Sequence, residues 1–221
     1  MRHIVLRSPY RERYRGKLTN DKQIGGFILA GGESSRMGRD KALLELGGVA
    51  MIVRAANLVE SVTDTCAVIG DSVRLEGLAL RIITDDMPGA GPLGGIATAL
   101  RASRAAWNLV IACDLPYLTR EWLEFLAERA LRSEADAVLP MNERGAEPLC
   151  AMYRKRSEGA IREALDRGTR KVTDGLAGVA TQFIEPSEWK GFDSDGLLFK
   201  NMNSPADYEE AQSRFAGREK R

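Results

Sequence analysis

The sequence predicts an α/β protein, a three-layer doubly wound fold built on a mostly parallel sheet. Three observations carry this. Short, continuous apolar runs recur along the first half of the chain, as in strands buried on both faces. Segments with helical periodicity alternate with them. Unusual polar and glycine-rich residues cluster just after the runs, where ligands sit in open α/β sheets.

The strand runs are 26–30, 65–70, 80–85 and 108–113. Residues 51–62 and 93–104 read as helices between them. So does 120–131, where Trp122, Phe125, Leu126 and Ala130 share one face and Thr119 stands ready as N-cap. The second half is less regular. Residues 137–140 and 149–153 read as strands joined by the polar loop 141–147, and 156–165 reads as a helix. Runs 181–185 and 197–199 suggest further short strands. The last helix is signalled by Ser204 as N-cap, Pro205 at its first position and Asp207 in its first turn, with Tyr208, Ala211 and Phe215 as its apolar stripe.

Composition narrows the function. The 221 residues, 44% of them hydrophobic, suit one domain with a real core, and the net charge of +1 favours neither nucleic acid nor membrane as partner. No apolar stretch approaches the roughly 20 residues of a membrane span, and no signal-peptide segment opens the chain. Cys66, Cys113 and Cys150 sit far apart in apolar runs, which reads as three buried free thiols and a reducing, cytoplasmic setting. Residues 1–22 are rich in arginine and read as a mobile basic extension, or as a start codon placed too early; the sharper alternative is a docking arm for an acidic partner. The domain itself runs from 23 to 215, followed by a basic tail over 216–221. The one histidine, His3, lies in the extension, so the core offers no imidazole for acid–base work.

The chemistry concentrates in residues 29–41, Leu-Ala-Gly-Gly-Glu-Ser-Ser-Arg-Met-Gly-Arg-Asp-Lys. A strand feeding such a loop offers free N–H groups to an anion, and Arg36, Arg39 and Lys41 add positive charge. No Gly-Lys-Ser/Thr follows, and the Gly-x-Gly-x-x-Gly register is absent, so this is neither a Walker loop nor the common dinucleotide loop. Asp114 ends a buried strand and suits either Mg²⁺ or a turn before Leu115-Pro116. Asp85 and Asp86 suit ribose hydroxyls, a metal or a solvated turn. Gly91, Pro92 and Leu93 open a run through Gly95 whose small side chains would let a base or ribose approach the backbone, unless it is a plain turn into a helix.

The chain resembles the molybdenum cofactor guanylyltransferases, the MobA family of nucleotidyltransferases. The likeness begins in the 29–41 loop and continues through Gly91-Pro-Leu-Gly-Gly95, Cys113-Asp-Leu-Pro-Tyr117, Glu147-Pro-Leu-Cys-Ala151, Gly168-Thr-Arg-Lys-Val172 and Phe199-Lys-Asn-Met-Asn-Ser-Pro205. It spans roughly 24–212 and implies a Rossmann-like fold of the nucleotide-diphospho-sugar transferase kind. It further implies that Leu29, Ala30 and Gly31 contact the guanine nucleotide, Lys41 its phosphates, and Asp85 the nucleotide. The Gly31-Gly32 pair favours guanine, since relatives specific for cytidylyl or uridylyl groups more often read Leu-Ala-Ala-Gly. Asp114 would bind nucleotide and Mg²⁺, with Asn203 as a further metal ligand. Asn201 would line the acceptor side, and Arg170 and Lys171 would hold the pterin phosphate. Where the family often has Asn after its second strand, this chain reads Gly70-Asp71.

The implied reaction joins GTP to the terminal phosphate of molybdopterin and releases pyrophosphate. A phosphate monoester, with a second pKa near about 6, is already largely dianionic and needs no general base. Lys41, Arg36 and Asp114 with its Mg²⁺ would then carry catalysis by neutralising charge. Molybdoenzymes or other cofactor-synthesis proteins are the natural protein partners of such an enzyme. Two rival readings keep the same loop. One is transfer to another phosphorylated acceptor, such as a sugar phosphate or phospholactate. The other is a non-catalytic adaptor that binds nucleotide or molybdopterin.

Overall fold

The computed structural model describes residues 23–31 and 40–216. The basic extension 1–22, the loop positions Gly32 and Arg36, and residues 217–221 lie outside the described residues.

The strands are β1 (Ile24–Leu29), β2 (Glu45–Leu46), β3 (Val49–Ala50), β4 (Thr65–Gly70), β5 (Ile82–Thr84), β6 (Trp107–Ala112), β7 (Ala137–Asn142), β8 (Gly145–Ala146), β9 (Cys150–Arg154) and β10 (Thr181–Ile184). The helices are α1 (Met51–Glu60), α2 (Gly91–Ala102), α3 (Arg120–Leu131), α4 (Glu158–Asp166), the single turns α5 (Val172–Gly175) and α6 (Pro186–Trp189), and α7 (Pro205–Ala216). The main sheet runs β10-β7-β9-β6-β1-β4-β5, with β8 paired to β7. Neighbours pair in parallel except β9, which runs antiparallel to β6 and β7, and β8, which runs antiparallel to β7.

Every residue of β1 and of β6 is buried, which is why both read as apolar runs, interrupted in β6 only by the buried Asn108. Alternation divides their side chains. Ile24 and Ile28 pack with Ile52 and Val59 of α1 and Trp122 and Leu126 of α3. Phe27 and Leu29 pack on the other face with Leu93 and Ile96 of α2 and Ile161 of α4. Gly26 lets α1 lie close, since a Cβ there would fall 2.2 Å from Val59 Cγ1. No helix among the described residues is long and apolar enough to cross a membrane. Cys66, Cys113 and Cys150 are free thiols, as the sequence leads one to expect, but only Cys150 is fully buried; Cys66 and Cys113 are partly so.

Some expectations change. Leu197–Phe199 is a turn, not a strand: Asp193 Oδ1 accepts from Leu197 N and Leu198 N at 2.8 and 3.0 Å. The apolar residues of this turn serve as anchors, with Leu198 buried and Phe199 set edge-on to Trp122 and Trp189. Residues 45–50, assigned to no element from sequence, form the β2–β3 hairpin on Gly47 and Gly48, both at positive φ. The expected strand over 80–85 shortens to β5, and the helix expected at 93 begins two residues earlier, at Gly91.

From β1 the chain passes to β4 and β5 on one side, then returns to β6 on the other. The ends of β1 and β6 therefore form the topological switch point, where a crevice opens in such sheets. Cys113 N donates to Leu29 O at 3.1 Å, so Ala30-Gly31 and Asp114 leave the sheet side by side.

Candidate active site

Four segments converge at this switch point. The first is the end of β1. Ala30 is held by its N–H on Ile69 O at 2.9 Å, and its carbonyl accepts from Arg74 Nη2 at 2.7 Å. Leu29 is a core residue, its side chain filling the space that Gly95 leaves on α2, so only its main chain faces the site. Gly31 is exposed, and a Cβ on it would meet none of the other described residues within 4 Å.

The second segment is Asp40-Lys41. Asp40 Oδ1 accepts from Ala42 N at 3.0 Å and starts the tight turn Lys41–Leu43. This sends the Lys41 side chain across to the fourth segment, where Nζ donates to Asn203 Oδ1 at 3.0 Å.

The third is the end of β6. Asp114 Oδ1 is shielded from solvent and accepts no hydrogen bond among the described residues. Burial pushes its carboxyl pKa up; the charge of Lys41 and its own backbone N–H pull the other way. A buried, unpaired carboxylate oxygen is costly unless a cation or proton donor meets it. Asp114 is thus the residue most suited to hold a divalent ion, with Asn203 Oδ1 as a neutral oxygen near Lys41. No group of three or more His, Cys, Asp and Glu that could hold a metal converges among the described residues. An ion on Asp114 would complete its shell from a bound phosphate and water, the habit of a hard cation with few protein ligands.

The fourth segment, 201–207, is tied to the third through Met202 N, which donates to Asp114 O at 2.9 Å. Asp207 Oδ2 accepts from Asn203 N, Ser204 N and Ser204 Oγ, fixing Asn203 at the mouth of α7. Asn201 lies half-buried on the same segment.

The remaining sequence candidates surround this centre unequally. Asp85 turns onto α2, its Oδ1 accepting from Thr98 Oγ1 at 2.8 Å and Met87 N at 3.0 Å. Asp86 instead pairs with Arg101, so the two carboxylates do not act as a pair. Gly91, at φ +70°, and Pro92 are exposed at the start of α2. Leu93 is fully buried, and Gly94 and Gly95 are closed by Ala90 and Leu29, so their small size serves helix packing and not ligand approach. Arg170 Nη1 donates to Leu165 O and Thr169 O at 3.1 and 2.9 Å, capping the end of α4. Lys171 Nζ lies 3.5 Å from Asp174 and stays mostly exposed. The loop carrying both abuts the start of α2, with Arg170 O 4.0 Å from where a Gly91 Cβ would stand. Asp71 binds its own turn, Oδ1 accepting from Val73 N at 2.9 Å.

Two residues that sequence reasoning passed over belong to this neighbourhood. Arg74 reaches both Ala30 and Asp40 from the turn after β4. Glu147 is half-buried beside β9, and burial raises its carboxyl pKa, with Asp114 adding repulsion and an Asn142 hydrogen bond opposing. Its place in the Glu147-Pro148 motif was the available signal; Arg74 had none, since its partners are distant in sequence. The three thiols are pushed up to about 12 by burial, which leaves no thiolate nucleophile.

Comparison with known proteins gives a consistent picture. Residues 26–180 match the family model described as MobA-like NTP transferase domain. The chain is 35% identical over 192 residues to "Probable molybdenum cofactor guanylyltransferase" of Pelotomaculum thermopropionicum, covering 86% of this chain and 92% of that protein. It is also 35% identical over 191 residues to the protein of the same name from Methanothermobacter thermautotrophicus, covering 81% and 94%. Among solved structures, molybdopterin-guanine dinucleotide biosynthesis protein A from Archaeoglobus fulgidus superposes with a TM-score of 0.77 at 26% identity, covering 87% of this chain and 99% of that one.

Proposed function

The chain belongs to the family of MobA-like NTP transferase domains and is a nucleotidyltransferase, and from that membership we propose that it moves GMP from GTP to the terminal phosphate of molybdopterin, releasing pyrophosphate. The observation that carries the reading is the convergence of Lys41, Asn203 and Asp114 beside the exposed Gly31 at the switch point. The names of the relatives supply the acceptor and the base.

Each residue has a task in this reaction. The backbone of Ala30-Gly31 receives the nucleotide at the end of β1. Lys41, steered by Asn203, offers its ammonium group to the triphosphate. Asp114, with Asn203 beside it, would hold Mg²⁺, which when bound supplies charge neutralisation at the phosphates. The attacking phosphate is already dianionic near neutral pH, so no side chain has to take its proton. Lys171 is the exposed cation suited to the acceptor's phosphate, next to the start of α2. We assign the reaction to the cytoplasm, where free thiols persist.

Pyrophosphate release tests the reading when GTP, CTP and ATP are each crossed with molybdopterin and with a sugar phosphate. Release with GTP and molybdopterin together is expected. Release with a sugar phosphate instead would assign another acceptor, and nucleotide binding without release in any pairing would make the protein an adaptor.

A further inference from the structure

We propose that Arg74 is a positioning residue that fixes Lys41 relative to the end of β1. The inference rests on the nucleotidyl-transfer reading above. Arg74 stands in the turn after β4, far in sequence from either partner. Its Nη2 donates to Ala30 O at 2.7 Å, and its Nε faces Asp40 Oδ2 at 2.5 Å as a close ion pair. One planar guanidinium therefore joins the residue that leaves β1 to the residue that precedes Lys41.

Asp40 passes this restraint on. Its second oxygen, Oδ1, accepts from Ala42 N and sets the turn from which the Lys41 side chain departs. Lys41 then meets Asn203, and the same segment returns to Asp114 through Met202. A chain of contacts thus runs from Ala30 through Arg74, Asp40, Lys41 and Asn203 to Asp114. It links the backbone that receives the nucleotide to the carboxylate at the end of β6. Arginine is needed because the two contacts use different nitrogens of one rigid fork; lysine keeps the charge but has a single nitrogen on a flexible stem. The ion pair is partly screened from water, with the Asp40 side chain 16% exposed, so it holds better than a surface pair.

The experiment compares wild type with Arg74→Gln, Arg74→Lys, Asp40→Asn and the Asp40→Asn/Arg74→Gln double variant. The readouts are GTP affinity by equilibrium titration with Mg²⁺ and no acceptor, kinetic constants for both substrates, and amide exchange at Ala42. Arg74→Gln is expected to weaken GTP binding about tenfold, to leave the KM for molybdopterin unchanged, and to speed exchange at Ala42. Arg74→Lys should fall between it and wild type, and the double variant should be no worse than the poorer single. GTP affinity within twofold of wild type in Arg74→Gln, equal losses for both substrates, or unaltered exchange at Ala42 would overturn the proposal. Failure of wild type to bind GTP would instead count against the functional reading, and exchange at Ala42 would still decide whether Arg74 sets the Lys41 turn.

Discussion

Lys41 Nζ and Asn203 Oδ1 meet at 3.0 Å, although 162 positions separate them in the chain. The contact ties the turn that carries Lys41 to the cap of the last helix, which brings the C-terminal segment to the proposed nucleotide site. Lys41→Ala should remove the phosphate-facing cation and release Asn203 together. We expect kcat/KM for GTP to fall about 100- to 1,000-fold, the loss typical of one charge-stabilising donor. Steady-state kinetics with varied GTP checks this, and an unchanged value would remove Lys41 from the reaction.

Asp114→Asn separates catalysis from folding. Burial raises the carboxyl pKa above its ordinary value of 3.8, so the folded chain binds this proton more tightly than the unfolded chain does. The anion therefore weakens the fold once pH rises through the window between 3.8 and the raised value. The variant should lose at least about 100-fold in turnover, keep most of its GTP affinity, and melt at the same temperature as wild type or higher near neutral pH. Calorimetry beside a pyrophosphate assay measures both; a clear drop in Tm would mean that Asp114 serves the fold first.

Asp207 links acid pH to the position of Asn203. Its carboxyl is held below 3.8 by the Ser204 hydroxyl and the N–H groups of Asn203 and Ser204. A depressed carboxylate pKa contributes stability above the ordinary value and loses it as pH falls through the depressed one. Wild type should therefore be more stable than Asp207→Asn near neutral pH, and the two should converge on acidification below the carboxylate range. Denaturant titrations across pH test this. Removing the cap at Ser204 with Ser204→Ala should cost about 0.5–2 kcal/mol and weaken GTP binding through Asn203.

Arg170 and Lys171 are neighbours with different contacts. Arg170 donates to the Leu165 carbonyl in the last turn of α4 and to the Thr169 carbonyl beyond it, so Arg170→Ala should lower stability by about 1 kcal/mol. Lys171→Ala should leave stability within about 0.5 kcal/mol of wild type and raise the apparent KM for molybdopterin while sparing that for GTP. The reverse pattern in either variant would refute the division.

The parts of this protein that were legible in its sequence are those decided by local chemistry. β1, β4 and β6 are continuous apolar runs because helices cover both their faces, and Ser204, Pro205 and Asp207 spell out the start of α7. Asp114 is marked by its position just past the end of β6, and Lys41 by the cationic loop that follows β1. What escaped was decided by distant contacts. Leu197–Phe199 has the composition of a strand, but Asp193 curls it into a turn under Trp122 and Trp189. Gly94 and Gly95 look like room for a base, but Ala90 and Leu29 take that room. Arg74 carries no local signal, because both its partners, Ala30 and Asp40, stand far earlier in the chain.

The central claim is that this site joins GMP to a pterin phosphate, and the fate of the GTP α-phosphate tests it most directly. GTP labelled at the α-phosphate, incubated with Mg²⁺ and molybdopterin, should yield labelled molybdopterin guanine dinucleotide with one pyrophosphate released per label transferred. A label that stays in GTP, while α-labelled GTP or CTP transfers to a sugar phosphate under the same conditions, would contradict the account.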